Sequence, residues 1–336
     1  MAQGPRRSAG AFAAWPAQPR RDGRRWPGMA YRLKHGDPGV GDGVRRIARE
    51  QIDGALSALD AAADDPAEAI HDARKRCKKL RSLARLVRPA FPRYAEENAA
   101  IHDAAAALSE TRDAEAMIES YDALCEECAA MIDRRDVAAI RRRLTAEKKR
   151  AYAGDALSER LDAFRDAMEA ARARTGAWRL TTEGFDAVQG GVAKTYKRAR
   201  KAMRAARERP TDAAMHEWRK RVKHHRNHAR LLRGVWKAEL GARDAEADRL
   251  GDILGDHHDL AVLRARVERD REEIARGADA EGFLRLARLR QESLTAEAFA
   301  LGARLFAEKP KALTARLGAY WTVWEGESRG RAPEAA

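Results

Sequence analysis

Residues 69–88, AIHDARKRCKKLRSLARLVR, return as residues 214–233, AMHEWRKRVKHHRNHARLLR, with eleven of the twenty positions identical. The shared positions include His71/His216, Arg74/Arg219, Lys75/Lys220, Lys78/Lys223, Arg81/Arg226 and Arg85/Arg230, all at an offset of 145 residues. Further on, LSETRDAEAM (108–117) lies over LGDHHDLAVL (254–263), with Asp113 against Asp259. Upstream, GVRRIARE (43–50) and GVAKTYKRAR (191–200) each open a basic helix. A period this long excludes a solenoid, whose units run to roughly 20–50 residues. It predicts a duplicated helical bundle whose halves face each other.

Both halves read as helix throughout. Charged residues make up 35% of the chain and aromatics only 6%, with alanine, arginine, leucine and glutamate dominant; these favour helix over strand. No run of β-branched residues alternates with period two, so a sheet is not expected. The fold class is all-α, built as a duplicated helical bundle. Breaks at Pro66, Pro89, Pro210 and Gly234, with Thr211 as an N-cap, place helices near 42–63, 67–89, 92–109, 112–131, 134–151 and 155–174. The second half is read as 184–208, 211–233, 238–254, 257–276, 280–308 and 311–324. The helical domain is assigned to 41–325, with repeats at about 42–175 and 184–325. Residues 1–40, rich in Arg, Pro and Gly, and residues 326–336 are read as disordered tails.

Several classes fall away. No apolar run approaches the roughly 20 residues needed to cross a bilayer, and the first forty residues contain no apolar segment of the secretory kind. Cys77, Cys125 and Cys128 form no disulfide framework, as suits a reducing cytoplasm. Cys125 and Cys128 are spaced like half a zinc site, but no second pair accompanies them. No metal or other cofactor is expected.

The formal charge of +14 is concentrated. Residues 1–40 carry +6, residues 70–88 carry +7 and residues 215–233 carry +6, which leaves the remainder of the chain acidic by five charges. On a helical wheel stepped by about 100°, Ala73, Cys77, Leu80, Leu83, Ala84 and Val87 fall on one arc. His71, Arg74, Lys75, Lys78, Arg81 and Arg85 fall on the other. The second copy repeats the division, with Trp218, Val222, Ala229 and Leu232 inward and His216, Arg219, Lys220, Lys223, Arg226 and Arg230 outward. Like charges on one stripe cost helix stability, and an ordinary solvated face intersperses the signs. A nearly pure cationic face kept in both copies therefore points to an anionic ligand. One cation per turn, about 5.4 Å apart, suits a chain of phosphates better than a compact anion. Arginine would supply bidentate forks and lysine a mobile charge.

The histidines divide into groups. His71 and His216, at the cationic edge, are read as phosphate hydrogen-bond partners or as helix-start residues paired with Asp72 or Glu217. His224, His225 and His228 crowd only the second copy, and His225, on the inward arc, is read as a hydrogen-bonded core residue. His257, His258 and Asp259 have the composition of a metal cluster, but Thr111, Arg112 and Asp113 stand there in the first copy, which disfavours an ancestral metal site.

A histidine-led helix with paired bases, present twice and followed by an Arg-Asp turn, resembles the CHAD family, the conserved-histidine α-helical domain. The first copy carries the pattern in His71, Arg74, Lys78, Lys79, Arg81, Arg112 and Asp113, the second in His216, Arg219, Lys223 and Arg226. It departs from the pattern with His224 where a base is usual and His225 where leucine is usual. The resemblance, over about 42–325, implies two pseudo-symmetric four-helix bundles facing a basic central channel that binds inorganic polyphosphate, with association with polyphosphate granules and, in some relatives, fusion to a triphosphatase domain. The expected ligand-binding set is His71, Arg74, Lys75, Lys78, Lys79, Arg81, His216, Arg219, Lys220, Lys223, His224 and Arg226. Arg45, Arg49, Lys197 and Arg200, on the first helix of each half, join it.

Expected partners are polyphosphate, other polyanions, and proteins of the granule or of polyphosphate metabolism; no membrane is among them. The expected location is the cytoplasm. A nucleic-acid-binding protein is the alternative, but the basic faces carry almost no aromatics for base stacking and no reading motif. An enzyme is not expected, since no Gly-rich phosphate loop and no acidic cluster for magnesium accompany the stripe. No catalytic residue is assigned.

Overall fold

The computed structural model describes residues 31–152, 155–271 and 280–330; for 109–114, 151, 155–156 and 328–330 only the backbone is described. Every regular element among the described residues is helical. The first half runs α1 (Val40–Asp60), α2 (Pro66–Leu86), a 3-10 turn (Arg88–Ala90), α3 (Tyr94–Ala107), α4 (Ser109–Glu127), α5 (Ala138–Ala151) and α6 (Asp155–Thr175). The second runs α7 (Asp186–Glu208), α8 (Asp212–Leu231), α9 (Lys237–Arg269), α10 (Ala280–Leu305) and α11 (Pro310–Gly330). Among the described residues no helix is long and apolar enough to cross a membrane.

The repeated helices start where their side chains can satisfy the first free amides. The Asp65 carboxylate accepts from Glu68 N with Pro66 in the first turn, and Thr211 Oγ1 accepts from Ala214 N, each worth about 1 kcal/mol. The inward arc is buried as expected: Ala73, Cys77, Leu80, Leu83, Ala84 and Val87 are fully enclosed, as are Trp218 and Val222. Each half packs in the same order. Helix α1 lies on α2 and α6, as α7 lies on α8 and α11; α2 meets α3 as α8 meets α9; α4 meets α5 as α9 meets α10. Across the halves, α2 meets both α7 and α8, and α4 meets α9.

At the crossing of α2 and α8 the repeat offset becomes a contact. Asn227 Nδ2 donates to Ser82 Oγ at 2.9 Å across 145 residues of sequence. His224 Nδ1 lies 2.9 Å from the same hydroxyl, and His228 Nε2 lies 3.0 Å from the Ser82 carbonyl. Matching positions of the two copies thus meet each other.

Three expectations differ from the fold. The break near 255 is absent, and α9 runs straight through Gly251 and Gly255. A helix glycine costs only about 1 kcal/mol, and a Cβ at Gly255 would press on the Arg219 guanidinium at 3.3 Å. The expected N-terminal tail 1–40 lies outside the described residues only to 30. Tyr31 and Leu33 are buried, with Leu33 N donating to Leu231 O at 2.9 Å; the Pro, Gly and Arg around them masked two apolar anchors. At the other end α11 extends to Gly330, five residues into the expected tail.

Helix α7 crosses the end of α2 at Gly190 and Gly191, and a Cβ on Gly191 would overlap the Leu86 carbonyl oxygen. Backbone cannot swing away as a side chain can. Gly191→Ala is therefore expected to lose roughly 2–4 kcal/mol in denaturant unfolding. Gly326→Ala, in open space, should lose nothing measurable.

Candidate functional site

The outward arcs of α2 and α8 are partly walled by the next helices of their own halves, while Lys75, Lys78 and Lys220 stay exposed. On α2, Arg74 Nη1 donates to Ala105 O of α3 at 2.8 Å. Arg81 reaches Asn98 Oδ1 at 3.4 Å and His102 Nδ1 at 3.1 Å, also on α3. On α8, Arg219 pairs with Asp259 of α9 at 3.5 Å, and Arg226 pairs with Asp244 at 3.4 Å and with Asp248. Asn98 and His102 match Asp244 and Asp248 at an offset of 146. Arg81 thus receives neutral hydrogen-bond partners where its equivalent Arg226 receives carboxylates.

Between the arcs, Lys78 and Lys223, matching positions of the repeat, come close enough to repel. Lys223 is half-buried, and its ammonium is pushed down to about 7, first by burial and then by Arg219 and Lys78; Asp259 and Asp252 only partly offset this. His216 and His258 face each other with ring centroids 4.0 Å apart. Burial holds His258 down to about 3, with His216, Arg219 and Lys223 adding repulsion, and lowers His216 in the same way. Both rings are neutral near pH 7. The His216 Nδ1 is buried and has no hydrogen-bond partner. Its neighbour Glu217 is taken by Lys220 at 2.6 Å and by Arg221. Asp72 lies 3.6 Å from the Lys75 ammonium.

The crossed helices therefore bring Lys78 of α2 beside Lys223 and Arg219 of α8, with His216 and His258 next to them, while Arg74 and Arg81 of the same α2 face reach toward α3. Lys75 and Lys220, each about half exposed and paired with its own helix's acid, sit at the margin. Lys79 turns to another flank, beneath the Tyr31 ring at 5.4 Å, and burial with Lys75 and Arg230 nearby brings it down to about 8. His224 is consumed by Ser82, and Arg226 by its two carboxylates. Arg45 and Arg49 do not join the crossing: Arg45 donates to Trp178 O at 2.9 Å and pairs with Asp42, while Arg49 lies against Gly176. Lys197 and Arg200 are also on the wrong phase of α7, whose buried Val188, Val192, Thr195 and Ala199 turn Lys194 and Arg198 toward α2 instead. Arg112 and Asp113 lie among residues whose side chains are outside the description.

His225 is the core residue expected, 3.2 Å from Arg243 Nη1 and packed between Tyr196 and Phe306. His228 is buried, and its imidazole is brought down to about 4. The run His257-His258-Asp259 separates: the His257 carbonyl accepts from Gln291 Nε2, His258 meets His216, and Asp259 takes Arg219. Among the described residues no three His, Cys, Asp or Glu side chains are grouped to share a metal ion.

Sequence reasoning leaves out Arg88, Lys194, Arg198, Arg221 and His258. The apolar phase of α7 selects Lys194 and Arg198, four residues apart and flanked by the buried positions. His258 has no counterpart signal in the first copy.

The comparisons with known proteins agree with this architecture. The family model for the CHAD domain matches residues 46–268. Two curated relatives, the uncharacterized proteins MT2285 and Rv2226 of Mycobacterium tuberculosis strains CDC 1551 and H37Rv, are each 30% identical over 258 residues. Those alignments cover 69% of this chain and 46% of the relative, so the chain spans about half the length of the curated relatives it matches. Among solved structures, PptA from Streptomyces chartreusis aligns with a TM-score of 0.56 at 17% identity, covering 80% of this chain and 99% of that one. The CHAD domain from the plant Ricinus communis aligns with a TM-score of 0.53 at 16% identity, covering 88% and 95%. At these identities the structures share the fold.

Proposed function

The chain belongs to the CHAD domain family, and from that membership we propose that its crossed basic helices hold inorganic polyphosphate without making or breaking a bond. Some members of the family bind polyphosphate. The observation that carries the reading is the approach of Lys78 to Lys223 with Arg219 beside them, a repulsion strong enough to help bring Lys223 down to about 7. Packing like charges together costs stability unless an anion offsets it. A phosphate chain supplies one negative charge per link. Arg74, Arg81 and Arg219 would hold its oxygens through planar forks, Lys78 and Lys223 would follow as mobile charges, and His216 would offer its imidazole to a single oxygen. Location in the cytoplasm at polyphosphate granules, and contact with proteins that make or degrade the polymer, belong to the same proposal.

The test is titration of the chain with long-chain polyphosphate and with single-stranded RNA at two salt concentrations. Polyphosphate should bind tightly, weaken steeply with salt as counterion release requires, and resist displacement by RNA. Equal or better binding of RNA would overturn the reading. The two halves should also contribute unequally. Arg81→Ala removes a cation whose partners are neutral and is expected to weaken binding about tenfold. Arg226→Ala removes one already held by Asp244 and Asp248, and should cost less than threefold in the same titration.

A further inference from the structure

The two flanks of the α2–α8 crossing are built from matching positions of the repeat but are filled differently. On one flank Arg85, Arg88, Lys194, Arg198, Arg221 and His224 line a groove between α2, α7 and α8. Among the described residues, Arg221 alone of its arginines and lysine is met by a carboxylate, that of Glu217. Arg85 has a buried Nε with no partner, and Arg88 rests over the Tyr94 ring at 4.6 Å. Burial, with Arg81, Arg221 and Arg198 close by, brings Arg85 down to about 10.

On the other flank the matching residues are Arg230, Arg233, Arg46, Glu50, Arg76 and Lys79. There the protein has filled the space itself. The segment leading into α1 is pinned by Leu33 N on Leu231 O, and it places Asp37 on Arg46 at 2.7 Å and Tyr31 over Lys79. Glu50, where the open flank has Arg198, takes Arg46 at 3.0 Å, and Asp244 takes Arg230 at 3.1 Å. Arg76 packs against Gly54, and a buried Nε without a partner, found on Arg85, is also found on Arg76 and Arg233, so what separates the flanks is their carboxylates. No residue of the corresponding lead-in to α7 lines the open groove; Thr181 is held on Ala90 O and Trp178 is packed against Phe91.

We propose that the open groove is a separate phosphate subsite, which takes a phosphate group of a phosphoanhydride chain and so makes the binding track one-ended. The filled flank shows what each set of positions needs: carboxylates among its cations. The open flank has exchanged Glu50 for Arg198 and receives no chain segment, so the anion comes from the ligand. Arginines from different helices around one groove favour phosphate over carboxylate, since a single fork is satisfied by either anion but a second fork needs more oxygens than the two a carboxylate has. The inference rests on the polyphosphate reading for the identity of the chain, but not for the chemistry of the groove.

The test is calorimetric titration of the full chain with pyrophosphate and, separately, with long-chain polyphosphate. Lys194→Gln with Arg198→Gln, both remote from the core, is compared with Lys79→Gln and Arg233→Gln on the filled flank; thermal melts confirm that each variant folds. The groove pair is expected to lose at least tenfold in pyrophosphate affinity and the filled-flank pair less than threefold. Equal losses for the two pairs, or no loss for the groove pair, would overturn the subsite. If the parent chain takes pyrophosphate in a groove-dependent way but no long-chain polyphosphate, the groove stands and the proposed function falls. If long-chain polyphosphate binds the parent chain and the groove pair alters neither ligand, the function stands and the subsite falls.

Discussion

Lys78→Glu combined with Lys223→Glu is expected to weaken long-chain polyphosphate binding by about a thousandfold, roughly 4 kcal/mol. Each lysine offers a charge-assisted hydrogen bond worth roughly 1.5–3 kcal/mol, and its replacement adds a repelling carboxylate at the crossing. The slope of log affinity against log salt should become shallower by about two, one for each phosphate that no longer meets a lysine. The informative control is Lys75→Glu with Lys220→Glu. It changes the net charge identically, but at exposed positions already paired with Asp72 and Glu217, and should cost less than tenfold. If both pairs weaken binding equally in titrations at matched salt, the polyanion is following net charge and not the crossing, and the site assignment fails.

That contrast also marks what sequence can and cannot reveal. The inward arc of α2 is legible because Cys77, Leu80, Leu83 and Ala84 repeat at helical spacing, and all are fully enclosed. The outward arc is legible as cationic but not as unequal. Arg81 and Arg226 are identical in the aligned copies, and what separates them is Asn98 and His102 against Asp244 and Asp248 on the following helix. Nothing in the spacing within α8 announces a neutralising helix 18 residues on. The first helix of each half misleads for a different reason. Lys197 and Arg200 are as basic as their neighbours, but the phase that buries Val188, Val192 and Thr195 directs Lys194 and Arg198 to the crossing. On α1, Arg45 is taken by the carbonyl of Trp178, 133 residues away. The lead-in 31–39 is hidden because the composition around it outweighs two apolar residues, yet it fills the flank opposite the open groove.

Lys223→Met should make the ligand-free protein more stable and a poorer binder at once. In the folded chain Lys223 faces Lys78 from α2, Arg219 from its own helix, and Asp252 and Asp259 from α9, and it is held down to about 7 from an unfolded value of 10.5. Between those two values the unfolded chain binds more protons, so Lys223 makes stability rise with pH from about 7 to 10.5. Below 7 its penalty is fully present. Methionine keeps the aliphatic stem and deletes the charge, so the variant should gain roughly 1–2 kcal/mol at pH 7 or below, shrinking to nothing above pH 10.5. Denaturant unfolding at pH 6.5 and 10.5 checks this; a destabilised variant at pH 6.5 would mean that Asp252 and Asp259 outweigh the burial cost. Binding should move in the opposite direction. A bound phosphate chain favours the ammonium, so the parent chain must take up a proton to bind once the pH passes 7. Its affinity should fall by about tenfold per pH unit above that point. Lys223→Met should bind more weakly at pH 6 and show a flattened profile above 7. A parent profile that is level from pH 7 to 8.5 would place the phosphate chain away from Lys223, because burial already leaves His216 and His258 neutral across that interval.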